Sequence, residues 1–434
     1  LATAHSLANT LSVASFDYLD GYICLNGWEQ RHEIAITDAL SATGWATPHG
    51  RDIRAVLAHE ITHFLDMTTT LWGLEFCHRK HVLHRSIKLG EPAGAVSDRL
   101  EVLLLSFSEI ATHKALYTPR TEERLRRSLV YKHALAGHDV FGAIVRVFYF
   151  DGSHAVVDAP LSMLSVLEAN AYAAEIIQRI SDIELIVDEA ERRVELACYE
   201  EEVKSSLCDA NYIEYTLLIR ITWAHFDWLD LKEVAHFVAA LSRFSLDMPS
   251  LLFAMIVPVI DQSFKNREVG SVIAHDMRRS ASRSVLLFKT MLFMYEWLNQ
   301  LPDDQREERK AEIRSMPRHA IDKFWSEAYA EYREIAEWNE FDDLLARHPD
   351  SGGHHDEIVL RESAQFNRNL LLNFDSGIVP FDLLRLPDVL LGDNFAIKFK
   401  NRVELDIEEC LDAGMGTLSI MSRLVRDSVP RKFY

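Results

Sequence analysis

The chain has 434 residues, 48% hydrophobic and 26% charged, the balance of an ordinary globular protein with room for two or three domains and substantial cores. Its 66 acidic residues against 46 basic ones leave a net charge of −20 that repels phosphate backbones and anionic lipid, so neither nucleic acid nor a membrane is an expected partner. The five cysteines, Cys24, Cys77, Cys198, Cys208 and Cys410, are scattered without a CxxC pair and no charged-then-apolar leader opens the sequence, so the expected compartment is the cytoplasm.

In chain order, Gly21 to Leu25 and Glu33 to Thr37 are rich in β-formers and separated by Asn26-Gly27, which predicts a hairpin. A helix follows from Arg51 or Asp52 to Thr68, stopped by Thr68-Thr69-Thr70 and Gly73. It carries His59-Glu60-Ile61-Thr62-His63, and every other position from Val56 to Leu65 is uncharged, as a helix buried on several sides requires. Helical residues four apart lie about 40° apart around the axis and roughly 6 Å along it, so His59 and His63 can reach one ion. Glu60 then points beside that ion, placed to take a proton from its bound water without being a ligand.

A catalytic zinc takes three protein ligands and keeps a fourth position for water, so a third ligand is needed. Just downstream are Glu75 and the histidines His78, His81 and His84. These histidines drift around a helix among Arg79, Lys80 and Arg85, a cationic setting that discourages a divalent ion and reads as a solvated basic face. Ser97 to Leu116 and Glu122 to Ala136 are expected helices. Ile144 to Phe150, Asp151-Gly152 and Ala155 to Val157 predict a second hairpin ahead of Pro160. The stretch Leu167 to Glu175 has small alanines and no Gly or Pro, which favours a helix able to approach the histidine helix closely, and it offers Glu168 as the other candidate ligand.

The uncharged frame around the HExxH pattern resembles the extended signature of the zincin metallopeptidases. The metzincin branch is excluded, because Asp66 and Thr69 stand where its Gly and third His would be. Glu168, with Ala171 three places on and Glu175 seven places on, resembles the glutamate-ligand helix of the gluzincins, including the aminopeptidase branch. That resemblance implies one Zn2+ per chain held by His59, His63 and Glu168, and hydrolysis of peptide bonds with Glu60 as general base. It also implies an oxyanion stabiliser, for which Tyr172 and His154 are in the neighbourhood, and an edge strand from either hairpin that pairs with substrate. Glu175, nearly two turns beyond Glu168 on the same face, is placed to orient a ligand histidine from behind. The interval from His63 to Glu168, 105 residues (168 minus 63), is longer than the gluzincin pattern usually shows, so the insert must fold back.

From about Gln178 onward helical periodicity dominates: Ile183 to Cys198, Ile213 to Phe226, Leu231 to Phe244, Ser284 to Leu298 and Ala320 to Glu337. Leu251 to Ile260, which contains Pro258, is too short to cross a bilayer and reads as a buried helix end. Asp303 to Arg314 reads as a charged, solvated helix or linker. The expected class is therefore α+β and predominantly helical. A zincin-like metal-bearing part with a small sheet covers 1–205, and a mostly helical part covers 206–434 and forms a cleft wall or binds a regulatory partner. Expected substrates are proteins or peptides.

Two other readings compete. Glu60-Ile61-Thr62-His63 and Glu233-Val234-Ala235-His236 are both Glu-x-x-His steps, which a ferritin-like di-iron oxidoreductase uses with two further glutamates, Glu168 among them. A catalytically inactive helical interaction protein would use His59 and His63 only structurally.

Overall fold

The structure, a computed structural model, describes residues 13–18, 21–41, 43–105, 130–138, 142–151, 154–209, 212–265, 267–278, 283–328, 332, 340–346, 355–372 and 381–403. It is predominantly helical with a small amount of sheet. Two compact units are each drawn from separated parts of the chain. The first takes Leu1–Ser106, Ala174–Glu189 and Asn339–Lys432, and the second Phe107–Ala173 and Ala190–Trp338 together with the last two residues.

In the first unit, β1 (Ser15–Phe16) and β2 (Ile23–Leu25) pair antiparallel, Ser15 opposite Cys24 and Phe16 opposite Ile23. Their turn is closed by the Asp17 amide on the Tyr22 carbonyl at 3.0 Å and the Gly21 amide on the Asp17 carbonyl at 2.7 Å, with Gly21 at φ 72°, a conformation that favours glycine. β6 (Val389–Leu391) adds to β2 in parallel and β7 (Ala396–Ile397) completes the order β1-β2-β6-β7. The partner expected for β2, Glu33 to Thr37, is instead part of helix α1 (Glu33–Ala39). The segment is rich in β-formers, but Ile36 and Ala39 are the buried residues and Ile34 is exposed, so burial follows a spacing of three.

Helix α2 (Pro48–Thr69) begins earlier than the sequence suggests, because the Thr47 hydroxyl caps it by accepting from the Gly50 amide at 3.0 Å and Pro48 suits the first helical position. Every residue from Leu57 to Thr70 is buried. Thr70 is the boundary residue and the N-cap of α3 (Leu71–Lys88), accepting from the Gly73 amide at 3.0 Å. Gly73 is therefore inside α3 and not a helix stop. It must be glycine because a Cβ there would meet the Met67 and Asp66 carbonyl oxygens at 2.1 and 2.3 Å.

Helix α4 (Ala93–Leu105) covers the front of the element expected from Ser97 to Leu116; the rest of that element lies outside the described residues. The helix expected from Glu122 to Ala136 is contradicted where it is described, since Val130–His138 is strand β3. A partner strand decides the matter: β3 pairs with β4 (Gly142–Asp151) from Val130 opposite Phe150 to His138 opposite Gly142. The hairpin of β4 with β5 (His154–Pro160) is as expected, bridged by Arg146 and Asp158.

Helix α5 (Met163–Glu184) runs unbroken through Glu168 and Glu175. The second unit continues through α6 (Glu189–Ser206), α7 (Ile213–His225), α8 (Leu231–Leu246), α9 (Ser250–Gln262), α10 (Arg267–Arg278), α11 (Ser284–Gln300), α12 (Asp303–Ser315) and α13 (Pro317–Ala328). The element expected at Ile183 to Cys198 is two helices broken after Glu184, and Pro258 sits inside α9 rather than ending it. On α12 only Ile313 is buried. The first unit recovers the chain at α14 (Glu340–Ala346) and α15 (His355–Leu372), whose Arg368 donates to the Thr69 carbonyl at 2.8 Å and so holds the end of α2. Among the described residues no single helix is long and apolar enough to cross a membrane.

Candidate metal centre

A ladder of charged contacts sets α2 against α5. Near the start of α2, Arg179 pairs with Asp52 at 2.6 Å and donates to the Pro48 carbonyl at 3.1 Å. Arg54 pairs with Asp182 at 2.8 Å, and Gln178 donates to the other oxygen of the same carboxylate at 3.0 Å. Further along α2, His59 Nδ1 meets Glu175 Oε2 at 3.1 Å. From Arg54–Asp182 through His59–Glu175, position numbers rise on α2 as they fall on α5, so the helices run antiparallel, and Glu168, two turns ahead of Glu175, joins His59 and His63.

These three residues form the metal-capable group. One ligand atom from each of His59, His63 and Glu168 lies within 4.8 Å of the others; the two histidines are buried and Glu168 is half-buried. Among the described residues this is the group of His, Cys, Asp and Glu side chains that can hold a metal ion. Ala171, one turn from both Glu168 and Glu175, is fully buried, where a longer side chain would need new space.

The histidines are oriented from behind by different partners. Glu175 holds Nδ1 of His59, while the Tyr18 hydroxyl lies 3.0 Å from Nδ1 of His63. With both Nδ1 atoms engaged, Nε2 is the atom each ring offers to an ion, and each Nδ1–H then donates, to the Glu175 carboxylate and to the Tyr18 oxygen. Tyr18 is buried, and its ring meets Phe16, Trp72 and Phe76 edge-on at centroid distances of 4.8, 6.2 and 6.5 Å. Two imidazole nitrogens and one carboxylate oxygen, with each ring held by a hydrogen bond at its other nitrogen, fit a divalent metal ion.

Glu60 is buried beside His59 on α2. Its charge is felt across the sheet: the Cys24 thiol on β2 is pushed up to about 11, first by burial and then by the Glu60 carboxylate. That thiol donates to Asn26 Oδ1 at 3.0 Å. Glu60 therefore lies near enough to β2 for its charge to act on Cys24.

Among the described residues, the remaining candidates are not part of the metal-capable group. Glu75 pairs with Arg79 at 3.8 Å and does not join the group. His78, His81 and His84 are half-buried, and Lys80 is buried with its ammonium 6.0 Å from the centre of the Phe76 ring, so this face of α3 is not the solvated one expected. The hydrocarbon stem and cation–π contact of Lys80 let it pack inward. Tyr172 meets the Tyr215 ring edge-on at 6.5 Å. His154 begins β5, and its side chain lies outside the described residues. Glu233 serves as the third residue of α8 in a capping box with Asp230, and neither it nor His236 belongs to the metal-capable group.

Three functional features escape a reading of the sequence: Tyr18, the nearness of Cys24 to Glu60, and the Arg54–Asp182 and Arg179–Asp52 clamps. Tyr18 carries one weak signal, a buried phenol's need for a hydrogen-bond partner, but nothing local names His63 as that partner. Searches against family models, curated proteins and solved structures return no match.

Proposed function

We propose that the protein is a zinc-dependent metallopeptidase. The observation that carries this reading is the convergence of His59, His63 and Glu168, with Glu175 behind one histidine and the Glu60 carboxylate beside the pair. A His2Glu set is a donor combination of catalytic zinc sites that leave one position open. When bound, zinc supplies Lewis acidity towards water and the scissile carbonyl. The chain's own contribution begins at Glu60, whose carboxylate accepts the proton of the attacking water and returns it to the departing amine. Glu175 keeps the His59 ring turned with Nε2 forward, and the antiparallel clamp of α2 with α5 keeps Glu168 at working distance. The reading extends to protein or peptide substrates, as the zincin resemblance implies, and to a cytoplasmic setting, for which the scattered cysteines are the support.

Metal quantification on the purified protein tests the reading first, with one zinc per chain expected. Glu60→Gln should then retain the metal and lose cleavage, followed as new N-termini in a peptide library derived from a whole proteome. A metal-free wild type, or a Glu60→Gln protein that cleaves like wild type, overturns it.

A further inference from the structure

We infer that Tyr18 is the positioning residue of His63, tying the metal-binding strength of α2 to the closure of the β1–β2 turn. The inference rests on the metal centre proposed above but not on peptidase activity. The Tyr18 hydroxyl lies 3.0 Å from Nδ1, on the far side of the imidazole from Nε2. It therefore acts on the ligand and does not touch a reacting group.

The phenol has little freedom to leave. Phe16, Trp72 and Phe76 surround its ring, and the turn that carries it is closed by the two backbone bonds between Asp17 and the pair Gly21 and Tyr22. The same turn lies against α2, since a Cβ on Gly21 would stand 3.4 Å from Met67 Cε, one turn beyond His63. Phe16 stacks on the His63 ring at 6.4 Å with an interplanar angle of 23°, which fixes the imidazole plane while the hydroxyl fixes its rotation.

The two ligand histidines are thus supported unequally. His59 leans on a carboxylate whose side chain is 27% exposed, whereas His63 leans on a neutral phenol that is 4% exposed. A carboxylate partner draws the Nδ1 proton strongly and raises the basicity of Nε2, while a phenol oxygen orients the ring with little change in its basicity. Tyr18 contributes through geometry, and geometry held by a buried bond is not shared with solvent.

Tyr18→Phe keeps the aromatic box and removes only the hydroxyl. The expected result is a zinc dissociation constant raised about ten- to a hundredfold in chelator competition, with the far-UV circular dichroism and thermal midpoint of the metal-free protein close to wild type. A change below twofold in a folded variant overturns the inference and reduces Tyr18 to packing. A second measurement needs no variant: in the 113Cd-loaded wild type with 15N-labelled histidine, cadmium should couple to Nε2 of His63 while Nδ1 bears a proton. Coupling through Nδ1 overturns the inference as well. A wild type that binds neither zinc nor cadmium removes the metal centre itself, and is thereby distinguished from a metal-binding wild type in which Tyr18→Phe is silent.

Discussion

Glu175→Gln isolates the charge behind His59, because the amide keeps the shape of the side chain and an oxygen acceptor but loses the negative charge. Carboxylates that support metal-ligating histidines typically contribute ten- to a hundredfold in metal affinity. Two observations place Glu175 at the lower end of that range. Its bond to Nδ1 is 3.1 Å, longer than a strong charge-assisted contact, and the side chain is 27% exposed, so water already competes for the carboxylate. The expected loss is about tenfold in zinc affinity, equivalent to about 1.4 kcal/mol. Competition with a chromophoric chelator at fixed pH and ionic strength reads this directly, alongside a metal-free melting curve to show that the fold is intact. A change below twofold would mean that the contact does not tune the ligand. A loss beyond roughly a thousandfold, well outside the range for a supporting residue, would make Glu175 a ligand itself and refute the assignment of that role to Glu168.

Glu168→Ala should weaken zinc retention until the metal is lost on dialysis, and a variant that still holds stoichiometric zinc would remove Glu168 from the centre. Arg54→Met leaves the Asp182 carboxylate, whose side chain is 3% exposed, with only the Gln178 amide. The expected cost is about 3 kcal/mol in urea denaturation, largely recovered by adding Asp182→Asn, and a loss under about 1 kcal/mol would contradict the clamp. Cys24, its thiol pushed up to about 11 from an ordinary 9.0, should react far more slowly with iodoacetamide at pH 8 than the exposed Cys198 in the metal-free protein. The folded state keeps that proton after the unfolded chain has lost it, so this contribution to stability is complete below about pH 9 and disappears as the pH rises through about 11. Equal labelling of Cys24 and Cys198 at pH 8 would contradict that environment.

The sequence discloses most where a pattern is local. His59, Glu60 and His63 share one helix, and Glu168 and Glu175 share another, so helical spacing alone places each set on one face. Which two helices meet, and in which direction, depends on Arg54 finding Asp182 and Arg179 finding Asp52, pairs far apart in the chain that periodicity does not register. Tyr18 shows the same limit, since its partner is a side chain on another element. The misread segments have a related cause. Glu33 to Thr37 is rich in β-formers but becomes helical, with Ile36 and Ala39 buried on one face. Val130 to Ala136 has helical periodicity but becomes a strand because β4 lies alongside it. Gly73, which looks like punctuation, answers to steric contact with the Asp66 and Met67 carbonyls.

The parallel pairing of β2 with β6 has a consequence for synthesis. Ile23, Cys24 and Leu25 gain their second neighbour only when Val389, Leu390 and Leu391 have been made, and the Gly392 amide then closes on the Trp28 carbonyl at 2.8 Å. A ribosome translates from the amino terminus and domains generally fold as units while they emerge, yet this sheet pairs residues 366 positions apart (389 minus 23). The sheet beside the histidine pair therefore stays unfinished until the chain as far as Leu391 has been made.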